Sequence, residues 1–139
     1  MAAAADPKAI ARRLYEDVLN KGALDALDEI ATQDFVEHDP LPGQTTGLEG
    51  LRQRITMLRE GLGARYTIQD MIAEGDRLAV RWTNEGTHSA DFLGIPATGK
   101  RFSITGIDIF RLSDGKLAEH WHVVDQLLLL QQLGLVPQP

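Results

Sequence analysis

Asp108 and Asp125 are the residues of this 139-residue chain whose setting most suggests chemistry. Each stands on a strand-like stretch among apolar neighbours, Asp108 in step with Phe102, Ile104 and Phe110, Asp125 in step with Trp121 and Val123. An ionised carboxylate buried without a partner is costly, and the usual response is a raised pKa, which suits an acid catalyst. A two-residue turn at Asp114-Gly115 sets Asp108 opposite Trp121 and Ile104 opposite Asp125. Both acids then share one face, roughly 13 Å apart, whereas a longer turn or a bulge separates them. Asp125 can equally end a strand and cap a helix behind it. Tyr15 lies on a helix face with Ala11 and Leu19, where its hydroxyl needs a partner. His38 and Asp39 belong to the segment Glu37-His38-Asp39-Pro40, which suits a pocket mouth or a plain turn. His120 and His122 share a strand face and offer two metal ligands without a third; strand histidines held by hydrogen bonds need no ion, so no metal site is expected. Trp82 and Trp121 read as core or pocket wall.

Other catalytic templates are missing. The chain has no cysteine, no phosphate-binding loop, no dinucleotide fingerprint and no nucleophile elbow, so no cofactor is expected. Its formal net charge of −6 repels phosphate backbones and anionic lipid. Arg52, Arg54 and Arg59 are the best basic patch, and they lie beside Glu49 and Glu60. Neither a nucleic acid nor a membrane is an expected partner. Leu127–Leu130 is far too short to span a bilayer, and Met1–Ala5 lacks the features of a secretory signal, so a cytoplasmic location is expected.

The elements that must position these residues are legible as one domain over 1–139, with 1–5 expected to be disordered. Asp6-Pro7 starts a first helix that Asn20-Lys21-Gly22 ends. A short helix covers Leu24–Ile30. Phe35 and Val36 lead into a loop rich in Pro, Gly and Thr. Leu48, Leu51, Ile55, Leu58 and Leu62 then mark one face of a third helix. From Tyr66 the apolar period becomes two, giving strands through Ile72, Leu78–Thr83, Phe102–Leu112 and Leu117–Asp125, with a short helix in the uncharged tail. Three helices before a run of antiparallel strands define an α+β fold, and a curved sheet wrapped over a helix leaves a conical cavity fit for a small molecule.

The segments Phe35-Val36-Glu37-His38-Asp39-Pro40, Glu85-Gly86-Thr87-His88, Leu93 to Lys100, Gly106-Ile107-Asp108-Ile109-Phe110-Arg111, Asp114-Gly115-Lys116, Glu119-His120-Trp121 and Gln132-Leu133-Gly134 together resemble the SnoaL-like polyketide cyclases of the nuclear-transport-factor-2-like superfamily. That resemblance implies a cone-shaped barrel of three N-terminal helices packed on a curved antiparallel sheet. It also implies cofactor-free aldol cyclisation of a carbonyl compound, with Asp125 as general acid/base. A more distant likeness to ketosteroid isomerase places Tyr15 and Asp108 as two donors to a ligand oxygen, Asp108 in its protonated form, and a base at His38 or Asp39. The expected catalytic set is therefore Asp125, Asp108, His38 and Tyr15. Asp39, Trp82, His88, Trp121 and His122 are expected to bind a small apolar or aromatic carbonyl ligand. His122 stands where many cyclase relatives would carry an acid or a small residue. A homodimer or homotetramer is expected, because a convex sheet face with apolar residues must be covered. An isomerase and a non-catalytic binding domain of the same fold are the competing readings.

Overall fold

Asp6 opens the first helix as its type suggests, accepting the Lys8 N–H with Pro7 following. The computed structural model describes residues 6–137, so the disorder expected for 1–5 lies outside the described residues. Helix α1 (Pro7–Arg12) continues without a break into a π-helical stretch, Arg13–Leu19, where the Asn20 N–H reaches back five residues to the Tyr15 carbonyl. A 3-10 turn (Leu24–Ala26) and α2 (Leu27–Ile30) follow. Helix α3 (Gly47–Leu62) is closed by Gly63 in the left-handed conformation at φ 54°. The strands are β1 (Ala31–Glu37), β2 (Arg65–Glu74), β3 (Arg77–Thr87), β4 (Arg101–Ser113) and β5 (Lys116–Val124), and α4 (Gln126–Gln132) comes last.

These strands form one sheet in the order β1-β5-β4-β3-β2. The core lies between its inner face and the helices, with Leu14, Val18, Ile55, Leu62, Leu78, Val80 and Phe110 all buried. The α+β class stands as expected, and the sheet is antiparallel except at one edge. There Ala31–Glu37, read from the sequence only as an approach to a loop, is a strand running parallel to β5.

The β4–β5 hairpin decides which side chains face inward. Asp114 and Gly115 both have positive φ, 50° and 75°, as a tight two-residue hairpin turn requires. Ser113 pairs with Lys116 and Leu112 with Leu117, but Arg111 pairs with Glu119, so Ala118 is an extra residue in β5. This bulge moves the register by one. Asp108 lies opposite His122 and Phe110 opposite His120, all on the inner face. Trp121 and Val123 turn outward, Val123 with 75% of its surface exposed. Asp108 and Asp125 therefore do not share a face. Asp125 caps α4 by accepting the Leu128 N–H, beside the outward Arg81, Ile107 and Val123.

Candidate active site

Asp108 is the hub of a buried polar network. Its Oδ2 accepts the Tyr15 hydroxyl and the Trp82 indole N–H, the latter at 2.8 Å. Its Oδ1 accepts His120 Nε2 at 2.8 Å. Tyr15 reaches it from the π-helical stretch, whose altered pitch turns Leu14, Tyr15, Val18 and Leu19 all inward. Trp82 can lie flat against β4 because Gly106 faces it; a Cβ at that position would sit 2.4 Å from Trp82 Cζ2.

His120 joins two acids. Its Nε2 bonds Asp108, and its Nδ1 meets Glu37 Oε1 at 2.6 Å, so an imidazolium donates to a carboxylate at each ring nitrogen. Burial alone would lower its pKa, but the Asp108 and Glu37 charges and hydrogen bonds outweigh that and raise it to about 9. Burial likewise pushes Asp108 upward, yet the His120 charge and hydrogen bonds from His120 and Tyr15 hold it below the usual carboxylate range. Glu37 is lowered by His120 and Arg54 against the same opposing burial. The Asp108 expected as a protonated donor is thus an ionised acceptor, because a cation stands beside it. Tyr15 is held protonated, well above its ordinary pKa, by burial and then by Asp108.

Arg54, from α3, completes the charge balance. Its Nη1 is 3.9 Å from Glu37 and bonds the Asp39 carbonyl at 3.3 Å, while its Nη2 lies 3.3 Å from His122 Nε2. Two cations, His120 and Arg54, now stand against two carboxylates, Asp108 and Glu37. His122 is lowered by burial, then by Arg54 and His120, and stays neutral. Since Arg54 can only donate, His122 Nε2 accepts and Nδ1 carries the proton. That Nδ1 is buried with no hydrogen-bond partner among the described residues, Glu37 Oε2 lying 4.0 Å away.

Two cavities meet at this network, sharing Arg54, Leu58, Tyr66 and Trp82 as walls. The inner, about 40 Å³, touches Asp108 and His120. The outer, about 290 Å³, is lined by Asp39, Asn84 and His122 among apolar side chains such as Leu62, Phe92 and Leu129. The Tyr66 hydroxyl has no hydrogen-bond partner among the described residues, and burial followed by the Asp108 charge keeps it protonated.

Tyr15, Trp82, Asp108, Asp39 and His122 are thus brought together. Asp39 holds the His122 backbone N–H at 3.0 Å. Four expected site residues are elsewhere. Asp125 is the α4 cap. His38 points outward, bonding Glu119 at 2.8 Å and stacking on Trp121 at 4.5 Å, because Phe35 and Glu37 take the inward positions of β1. Trp121 follows its outward register and lies under Arg77. His88 is fully buried and lines neither cavity; it ties down the loop after β3, pairing with Lys100 and Gly99 and accepting the Thr98 N–H. Glu37 and Arg54 are site residues that the sequence reading passed over, and His120 was read there only as half of a metal pair.

Glu37, His120 and His122 bring donor atoms within 4.8 Å of one another. Geometry alone would admit a metal ion. Electrostatics weighs against it: His120 must lose a proton shared between two carboxylates, and the Arg54 guanidinium already lies against His122.

With this geometry in place, comparison with known proteins is direct. Residues 9–133 match the SnoaL-like polyketide cyclase family, and the chain belongs to it. It is 28% identical over 132 residues to aklanonic acid methyl ester cyclase DauD of Streptomyces sp. (strain C5), covering 90% of this chain and 80% of that protein. It is 27% identical over 118 residues to nogalonic acid methyl ester cyclase of Streptomyces nogalater, covering 83% and 88%. Among solved structures, TsrD from Streptomyces laurentii superposes with a TM-score of 0.83 at 34% identity, over 94% of this chain and 99% of that one.

Proposed function

We propose that this protein closes a ring in a polyketide-type ester by cofactor-free aldol chemistry in the outer cavity. The observation that carries this reading is a neutral imidazole and a guanidinium, His122 and Arg54, in contact on one wall of that cavity. Family membership supplies the class of reaction, and the curated relatives' methyl esters supply the substrate type.

Protonation state and access assign the roles. Asp108 is ionised but held below the usual carboxylate range and is absent from the outer cavity's lining, and His120 already carries a proton at neutral pH. His122 is lowered from 6.5, unprotonated at neutral pH, and lines the outer cavity, so it is the base a ligand there can reach. Substrate entry exchanges the Arg54–His122 contact for two new ones: the guanidinium takes a carbonyl oxygen and the imidazole lone pair takes the acidic C–H proton. The resulting enolate, stabilised by Arg54, attacks a second carbonyl of the same molecule. The proton removed from carbon returns to the new alkoxide, beside the protonated Tyr66 hydroxyl. Asp108, His120 and Glu37 act behind this pair, fixing the charge of the wall.

His122→Gln keeps the size and removes the base, so turnover of aklanonic acid methyl ester should fall at least about 10²-fold with the circular dichroism unchanged. Full turnover in that variant overturns the assignment. An inactive wild type that still binds the ester makes the chain a binding domain instead.

A further inference from the structure

Asn84 is 98% buried, with only 2% of its surface exposed, and its side-chain Oδ1 has no hydrogen-bond partner among the described residues. It lines the outer cavity among Leu62, Phe92, Ile104 and Leu129. The residue is two places beyond Trp82 on the same face of β3, paired with Tyr66 and Ile104. One strand dipeptide, roughly 7 Å, therefore separates its backbone from that of Trp82, on the side away from Asp108. A buried polar atom without a partner is destabilising and rare in a folded protein. Here it stands in a mainly apolar lining that also holds Gln126, in the same cavity as Arg54 and His122.

We propose that Asn84 is a specificity-determining residue of this site, recognising a hydroxyl on the ligand held in the outer cavity. The ligand then meets Arg54 through a carbonyl or enolate oxygen and Asn84 through a hydroxyl. A cavity of about 150 Å³ holds one benzene ring, so about 290 Å³ admits a two-ring probe. The hydroxyl follows from chemistry, since it can donate to the amide oxygen or accept from the amide nitrogen and so suits either orientation of the side chain. A site built to hydrogen-bond a ligand hydroxyl rejects the analogue lacking it, because the analogue leaves the buried amide unmet. This deepens the reading above by naming a specificity-determining residue of that site, and it rests on the outer cavity being the binding site.

The test uses 6-hydroxy-2-naphthoate and 2-naphthoate, identical except for the distal hydroxyl, with binding followed by calorimetry on the intact chain. The wild type should prefer the hydroxylated probe by about 10-fold, the effect of one hydrogen bond to a buried acceptor. Asn84→Leu should bring that ratio to one, mainly by losing affinity for the hydroxylated probe. Arg54→Gln should weaken both probes together and leave the ratio intact. The ratio within one variant does not depend on how much of it is folded, and Asn84→Val serves as the second variant. No preference in the wild type, as when a water already satisfies Asn84, overturns the proposal, as does a preference that survives both substitutions at Asn84. Neither probe binding at all also overturns it. Because nothing here needs turnover, a discriminating cavity in a chain that His122→Gln leaves fully active would refute the catalytic assignment and retain this one.

Discussion

At His120, burial and charge oppose each other, and charge wins. A fully buried imidazole should be neutral, yet a carboxylate on each ring nitrogen lifts its pKa to about 9. Its folded pKa lies above the ordinary 6.5, so its contribution to stability is complete below 6.5 and disappears as pH rises through about 9. Asp108 and Glu37 act in the opposite direction. Their lowered values contribute above the ordinary 3.8 and 4.5, and are lost as pH falls below them. These three groups therefore stabilise most between about 4.5 and 6.5, while His122, lowered by burial, opposes them by weakening stability as pH falls below the ordinary 6.5. His120→Gln leaves the buried Asp108 without its paired cation and Glu37 with Arg54 alone, and should cost about 3–5 kcal/mol in urea unfolding. It should also remove the decline in stability between pH 6.5 and 9. A variant that keeps that alkaline decline would place its origin in another group. Part of this was legible. The alternation of Phe102, Ile104 and Phe110 with outward residues put Asp108 inside, and the helix row put Tyr15 there too. Asp108's charge state was not legible, because its counter-ion arrives from a neighbouring strand whose register had to be known first.

One residue of β5 sets that register. The Asp114-Gly115 turn was readable from its residue types, and by itself it pairs Asp108 with Trp121. Ala118 breaks the alternation, leaving Leu117 and Ala118 both buried in succession, and that apolar doublet is its only trace in the sequence. Deleting Ala118 should regularise the hairpin and leave Arg111 opposite Glu119, Phe110 opposite His120 and Asp108 opposite His122, so both histidines should stay inward. The shortened chain should therefore keep naphthoate binding. Loss of binding together with carboxyethylation of His122 by diethyl pyrocarbonate would show that the register is set elsewhere. Two further elements escaped the sequence for physical reasons. Strand β1 is polar apart from Ala31, Phe35 and Val36, so it carries little of the apolar alternation that marks a strand. Arg54 looked like part of a solvated basic patch, yet it lies three residues after Leu51 and four before Leu58, on the buried face of α3. Helical spacing placed it there; its charge argued it away.

The outer face of the sheet governs the molecule as a whole. Ile72, Ala79, Ile109 and Trp121 form one row across four strands, with Ile107 and Val123 in the next, and Ile72, Ile107, Ile109 and Val123 are all exposed. Such a face is best covered by a second copy of itself, which makes a homodimer the expected assembly. Sedimentation at micromolar concentration should give twice the chain mass, and Ile109→Lys with Val123→Glu should halve it while leaving the inner cavities untouched. A wild-type monomer would refute the expectation. Strand β1 has a different consequence for how the protein comes into being. Among the described residues its only sheet neighbour is β5, and Glu37 waits for a His120 made 83 residues later. As the chain leaves the ribosome, β1 therefore has no pairing edge until β5 has emerged, and every earlier fragment holds an unpaired strand whose Glu37 has Arg54 but not His120 to meet. Strand β5 must be translated before this wall of the cavity can form. Chaperone occupancy and aggregation of stalled chains should concentrate on that unpaired segment.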